Sequence, residues 1–232
     1  MKLLLCSDFS GVGYKWLDKF FDGLKGRKCL FVGYAQEDEC ELESGSAECL
    51  KNMGMNVFSL TKGYNFKDKL DVIFIRGGNT TRLIHYLKKY NQFEKIKELV
   101  EKQNVVYIGS SAGAVLAGSD TEYCLRSEPY EYDIKIEYGK DALKGYNWID
   151  KMVFVHTTKY FISFDEDYKN DKLTCLMEDT FCYPAYLEEI KIYDKSEYIE
   201  IGNNQVLIVD GNEKYTLTDD WSKYKIKENS EL

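Results

Sequence analysis

The residues best suited to covalent chemistry lie in Val105-Val106-Tyr107-Ile108-Gly109-Ser110-Ser111-Ala112-Gly113-Ala114. Ser111 is the centre of a Gly-x-Ser-x-Gly run that follows an apolar, strand-like segment and opens a stretch of small residues. A strand that passes into a helix through such a run turns sharply and lifts a hydroxyl out of the sheet as a nucleophile. Gly109 and Gly113 leave room for that turn. The Ala112 amide, at the start of the helix, is placed to donate to an oxyanion, aided by the helix dipole. The plainer alternative is a tight turn whose small residues only let helix and sheet approach. A strand and a helix in register around Ser111 favour the nucleophile.

A serine also needs a base, and the chain has two histidines. His156 closes the apolar run Met152-Val153-Phe154-Val155, at the kind of edge where open α/β sheets collect their sites. A neutral imidazole there can take the serine proton near neutral pH. His85 falls in a helical segment, nearly opposite Leu83, Ile84 and Leu87, and is expected to face solvent. A third feature, Phe74-Ile75-Arg76-Gly77-Gly78-Asn79-Thr80, is again a strand running into a helix. Paired glycines allow a backbone amide to approach a ligand, so Gly77 or Gly78 is the expected second oxyanion donor beside Ala112. Read blandly, the same residues are a tight turn with Asn79 as helix cap.

Positioning these groups requires alternating strands and helices, and the periodicity supplies them. Strands are expected at Lys2–Cys6, Lys28–Gly33, Met55–Leu60, Val72–Ile75, Val105–Ile108 and Lys151–Val155. Helices are expected at Tyr14–Leu24, Glu41–Asn52, Thr80–Tyr90 and Gln92–Gln103, the last capped by Asn91, with another running from the serine turn to Gly118. A short helix is read at Lys172–Met177. The closely spaced runs Glu189–Tyr193, Tyr198–Ile201, Gln205–Val209 and Lys214–Leu217 read as C-terminal antiparallel hairpins. The fold class is therefore α/β, a mainly parallel sheet with helices on both faces. One domain over residues 1–232 is expected, with 219–232 a loosely packed tail anchored by Trp221 and Tyr224.

Composition narrows the function. The 232 residues carry Lys+Arg 31 against Asp+Glu 39, a net charge of −8, without a basic block, which argues against nucleic-acid binding. The 19 Tyr, 12 Phe and 3 Trp supply too much apolar surface for disorder. The opening apolar run is too short for a signal sequence, and none spans a membrane. Seven scattered cysteines without a Cys-x-x-Cys pair point to thiols in a reducing cytoplasm rather than to a zinc or disulfide framework. No cofactor and no metal are expected. Gly11-Val12-Gly13 lacks the third glycine of a dinucleotide site, and Asp165-Glu166-Asp167 lacks the closing carboxylate of a calcium loop, with Leu176 in its place.

Taken together, Gly-x-Ser-Ala-Gly after a strand, Gly-Gly-Asn-Thr some thirty residues earlier and a strand-end histidine some forty-five residues later resemble the dipeptidase E family. The resemblance runs from the opening strand to the terminal hairpins. It implies a fold similar to the class I glutamine amidotransferase domain and metal-free hydrolysis of short peptides with an N-terminal aspartate. By position it implies Ser111 as nucleophile, His156 as base and Gly77 or Gly78 with Ala112 as oxyanion hole. The acid transfers less cleanly: Glu128, in Ser127-Glu128-Pro129, or alternatively Asp194. Two positions depart from the family pattern. Arg76 stands where a glycine or threonine is common, and Val155 where a proline often precedes the histidine. A substrate aspartate needs a cation, and Arg76, Arg126 and Lys159 are the nearby candidates, with Arg76 favoured.

The expected partner is a small peptide, with neither nucleic acid nor membrane; a homodimer is left open. Two other readings compete: an esterase or other amide hydrolase of the same architecture, and a catalytically silent relative that binds a peptide.

Overall fold

The computed structural model describes residues 1–37, 42, 44–61, 64–127, 134–164 and 174–226. Along the chain the elements are β1 (Lys2–Cys6), β2 (Lys28–Val32), α1 (Gly45–Asn52), β3 (Asn56–Ser59), β4 (Val72–Ile75), α2 (Thr80–Lys89) and α3 (Phe93–Lys102). Then come β5 (Val106–Ser110), α4 (Ala112–Leu116), α5 (Cys124–Ser127), α6 (Ile134–Tyr138), β6 (Met152–Val155), β7 (Tyr160–Phe164) and β8 (Thr174–Glu178). The chain closes with α7 (Cys182–Glu189), β9 (Tyr198–Ile201), β10 (Gln205–Asp210), β11 (Glu213–Thr218) and β12 (Lys225–Ile226).

The main sheet has seven strands in the order β11-β10-β1-β5-β4-β2-β3. Contacts from β1 through β5, β4 and β2 to β3 are parallel, whereas β10 and β11 add antiparallel at the β1 edge. Parallel strands need helical crossovers that cover both faces; β4 is correspondingly apolar throughout, and β1 beyond Lys2 and β5 are buried along their length. Alternate side chains of β1 serve different cores. Leu3 and Leu5 pack with Leu83 and Ile96 of α2 and α3, while Leu4 and Cys6 pack with Leu17 and Leu50 on the opposite face. Each fully buried leucine contributes about 1.5–3 kcal/mol. Outside the main sheet, β6 and β9 form a parallel pair, and β7 and β8 an antiparallel pair joined by β12. An aromatic cluster of Tyr123, Phe154, Tyr186 and Tyr198, with Val115 of α4, fastens the β6–β9 pair to the main body.

Several local expectations change. Tyr14–Leu24 does not form an α-helix; Gly13–Lys19 winds as a 3-10 helix, and its apolar stripe still packs on the core. Glycines at positive φ follow at Gly23 and Gly26, so the stripe reflects packing rather than helical continuity. Asn91 is not an N-cap: at φ 55 it closes the turn after α2, and Gln92 precedes α3. The described end of Lys172–Met177 is strand β8, because β7 offers it an antiparallel partner from Tyr160 to Phe164. Instead of a strand at Glu189–Tyr193, α7 runs to Glu189. Asp179 Oδ1 accepts the Phe181 and Cys182 amides just ahead of it, and Pro184 is tolerated in its first turn. His85 is not solvated; it is 6% exposed, under α6, with Nδ1 3.0 Å from Glu137 Oε2. The start of the expected loose tail is held: Trp221 donates to Asp219 and packs on the core, and β12 pairs with β8. Among the described residues no helix is long and apolar enough to cross a membrane. The stretch Asp165-Glu166-Asp167 lies outside the described residues.

Candidate active site

Three adjacent parallel strands, β1, β5 and β4, end side by side, and each delivers a polar group just past its last residue. Ser111 follows β5, Ser7 and Asp8 follow β1, and Arg76, Gly77 and Gly78 follow β4. Ser111 sits at φ 49 and ψ −112, a backbone state that costs a non-glycine residue roughly 1–3 kcal/mol. The surroundings impose it. The Ser111 amide donates to Cys6 O at 2.9 Å, while α4 presses close against β4. A Cβ on Gly113 would stand 2.3 Å from Ile75 O, and one on Gly109 2.5 Å from Gly113 O, so both flanking glycines are required by close approach. A Cβ on Gly77 would meet Ser111 Cβ at 2.8 Å; the glycine loop therefore lies directly against the serine side chain.

His156 follows β6 and, like Ser111, has a positive φ, 57. Its Nε2 lies 2.9 Å from Ser111 Oγ, and its Nδ1 lies 2.8 Å from Asn203 Oδ1. Asn203 follows β9, the parallel partner of β6, so the two groups leave the same end of one strand pair. The amide orientation of Asn203 is fixed: its Nδ2 donates to Thr158 O at 3.1 Å and to Tyr160 O at 3.0 Å. Its oxygen must then face the imidazole and accept from Nδ1–H. Nε2 is consequently the lone-pair nitrogen, correctly placed to accept the Ser111 hydroxyl proton. Ser7 ties this assembly to the main sheet, donating to Ile201 O at 2.7 Å and accepting the His156 amide at 3.0 Å.

The group at His156 Nδ1 is thus an amide, and Asp194, the alternative candidate acid, does not reach the imidazole. Asp194 lies exposed before β9, at the opposite end of the β6–β9 pair from His156, and its amide donates to Glu197. Glu128 lies outside the described residues. Sequence reasoning missed Asn203, Ser7 and Asp8. The available signal was positional: Asn203 closely follows a strand end, as His156 does, but Gly202-Asn203-Asn204 reads first as a turn.

Ser111 stands between two clefts. One, of about 540 Å³, is largely apolar, with Ala112, Val115, Tyr123, Phe154 and Phe181 in its wall; Phe181 is 69% exposed. The other, of about 480 Å³, is polar and brings together Asp8, Arg76, Gly77, Asp179 and Asn203. Gly78 borders both, with φ +139, and a Cβ there would strike Ala35 O at 2.4 Å. Burial raises the Asp8 carboxyl above its ordinary value, opposed by the Gly11 amide, the neighbouring His156 charge and the Ser10 amide. Of the other candidate cations, Arg126 is clamped by Glu189 at 2.7 Å and by Tyr193, and Lys159 pairs with Glu178 at 3.4 Å. Arg76 is the candidate cation that lines the polar cleft. Among the described residues, His156, Asp179 and Cys182 have potential metal-donor atoms within 4.8 Å of one another.

The chain is similar to several known proteins. A Peptidase E from Haemophilus influenzae (strain ATCC 51907 / DSM 11121 / KW20 / Rd) is 36% identical over 129 residues, covering 51% of this chain and 59% of that protein. A Drosophila melanogaster protein named "Probable alpha-aspartyl dipeptidase" is 32% identical over 123 residues, covering 50% of this chain and 51% of its own length. The chain thus spans between half and three-fifths of these two relatives. The crystal structure of a "Putative Peptidase E Protein" from Listeria monocytogenes EGD-e shares the fold, with a TM-score of 0.69 at 21% identity, covering 94% of this chain and 98% of that one. The sequence model of Peptidase family S51 matches residues 3–217, and the chain belongs to that family.

Proposed function

We propose that this protein is a serine peptidase that hydrolyses short peptides, in particular dipeptides with an N-terminal aspartate. The observation that carries the reading is the relay Ser111 Oγ–His156 Nε2 at 2.9 Å with Nδ1 held at 2.8 Å by Asn203. Ser111 Oγ attacks the scissile carbonyl carbon while His156 Nε2 takes its proton. The resulting oxyanion is met by the Ala112 amide and by that of Gly77 or Gly78. Imidazolium then returns the proton to the leaving amine, the C–N bond breaks, and an acyl-serine remains. Water, deprotonated by the same nitrogen, attacks the ester and releases the acid and Ser111.

A neutral Asn203 fixes the tautomer and ring plane, but it supplies no negative charge to the imidazolium. Asp8 and Asp179 stand in the same polar cleft and offer that charge at longer range. Arg76 is the group we assign to a substrate β-carboxylate, since a planar guanidinium replaces the lost hydration of a carboxylate well. None of the six described cysteines is in a disulfide, which suits a reducing compartment such as the cytoplasm.

Turnover of Asp-Leu, Ala-Leu, Glu-Leu and a simple ester, with Ser111→Ala as control, tests the reading. Hydrolysis of Asp-Leu above the others, lost in the variant, supports it. Preference for the ester moves the chain to a general hydrolase, and inertness toward all four moves it to a peptide binder.

A further inference from the structure

We propose that His156, Asp179 and Cys182 form a binding site for a borderline-soft divalent cation, Zn²⁺ in the first instance, whose occupation switches the serine centre off. The three donor atoms lie within 4.8 Å of one another, and all three residues line the polar cleft, so an ion can reach them from solvent. An imidazole nitrogen, a thiolate and a carboxylate are the donor types that Zn²⁺ selects, at bonds of about 2.0–2.3 Å. A tetrahedron with such bonds places its donors roughly 3.3–3.8 Å apart. Closure around an ion therefore asks for a contraction of about 1–1.5 Å at most, within the reach of side-chain rotation.

Two features prepare the donors. Asp179, only 8% exposed, fixes the turn into α7 through one oxygen, Oδ1, which accepts the Cys182 amide at 2.7 Å and the Phe181 amide at 3.1 Å. That turn brings the Asp179 carboxylate and the Cys182 thiol within 4.8 Å of each other and of an imidazole nitrogen. Asn203 Oδ1, by accepting Nδ1–H, selects the tautomer in which the ring's lone pair lies on Nε2. A metal-bound histidine is oriented by the same kind of bond to its second nitrogen. On binding, the Cys182 proton passes to solvent, and thiolate, carboxylate and Zn²⁺ sum to zero charge. Three protein ligands leave a fourth position for water.

The inhibitory part rests on the proposed role of His156. The Nε2 lone pair that would bind the ion is the one that receives the Ser111 proton, so metal binding and general-base function exclude each other. Inhibition then follows from competition for one electron pair rather than from distortion of the fold.

The test titrates the metal-free protein with Co²⁺ and with Zn²⁺ against a chromophoric chelator, and follows fluorophosphonate labelling of Ser111 in parallel. The expected result is one equivalent bound, with a thiolate-to-cobalt charge-transfer band. Cys182→Ala should abolish that band and weaken Zn²⁺ at least about tenfold, since loss of even an outer partner costs 10–100-fold. Asp179→Asn keeps an oxygen for the α7 amides, so it provides a second variant that should also bind Zn²⁺ more weakly. Zn²⁺ should block labelling of the wild type, EDTA should restore it, and Cys182→Ala should resist. Equal Zn²⁺ affinity in wild type and both variants, or a cobalt spectrum without a thiolate band, overturns the proposal. Failure of the wild type to label in EDTA overturns the serine-hydrolase reading instead, and leaves the binding data to decide the metal site.

Discussion

Replacing Asn203 by aspartate is the sharpest perturbation of the relay, because it installs the acid that a serine triad usually has. On sequence grounds it should help; the structure predicts that it harms. Asn203 is 1% exposed, and its NH₂ group donates to Thr158 O and Tyr160 O at 3.1 and 3.0 Å. Aspartate loses both hydrogen bonds, each worth about 1 kcal/mol net, and aims an oxygen at two carbonyl oxygens. A buried carboxylate that keeps the Nδ1–H contact but faces two carbonyl oxygens with its other oxygen costs about 3–5 kcal/mol, so the variant either takes up a proton or opens the loop. At roughly 2–4 °C per kcal/mol for a chain of this size, Tm should fall by about 10 °C. Protonated, the new side chain adds no charge to the imidazolium, and kcat should fall rather than rise. Asn203→Ala removes the Nδ1 acceptor together with the two NH₂ donors, without adding a charge. A hydrogen bond to a charged group is worth about 1.5–3 kcal/mol, which converts to a loss of about 10- to 150-fold in kcat. Dipeptide hydrolysis beside a thermal melt measures both quantities. An aspartate variant with unchanged Tm and equal or higher kcat would refute the fixed amide orientation, and with it the assigned tautomer.

Other perturbations follow from named contacts. Ser7→Ala removes the bridge between Ile201 O and the His156 amide, so kcat should drop about tenfold or more while KM changes little, as steady-state kinetics will show. Gly77→Ala sets a Cβ 2.8 Å from Ser111 Cβ and 3.5 Å from its Oγ. Labelling of Ser111 should slow by about 10²-fold, while the melt shifts by only a few degrees. Asp8 ionises less readily folded than unfolded, so its contribution to stability is full when it is protonated and falls as pH rises through its raised folded value. Asp8→Asn removes that decline. Its Tm should exceed that of the wild type at pH 7–8, and the gap should close as pH drops below 3.8, the ordinary carboxyl value. A gap that widened on acidification would contradict the assigned sign.

The central motifs were legible because their chemistry is local. The elbow around Ser111 needs small residues at 109 and 113 whatever the rest of the chain does, and the Gly77-Gly78 pair marks a close approach in the same way. His156 announced itself as a histidine at the end of an apolar run. What remained hidden depends on pairing between distant segments. Asn203 acquires its role only when β9 lies parallel to β6, and Ser7 only when β1 meets the end of β9; neither residue type or spacing encodes that. The same limit explains β8, whose strand character comes from β7. It also explains His85, which α6 covers from fifty residues away. Asp194 is a carboxylate in the right stretch of sequence, whereas the group that meets Nδ1–H is the amide oxygen of Asn203.

The claim on which everything else depends is that Ser111 is a nucleophile activated by His156. Intact mass and peptide mapping after treatment with a fluorophosphonate test it without presuming a substrate. One adduct per chain, mapped to Ser111, lost in Ser111→Ala and slowed by orders of magnitude in His156→Ala, is the predicted result. No adduct in a folded wild type, or labelling that persists at full rate without His156, would contradict it.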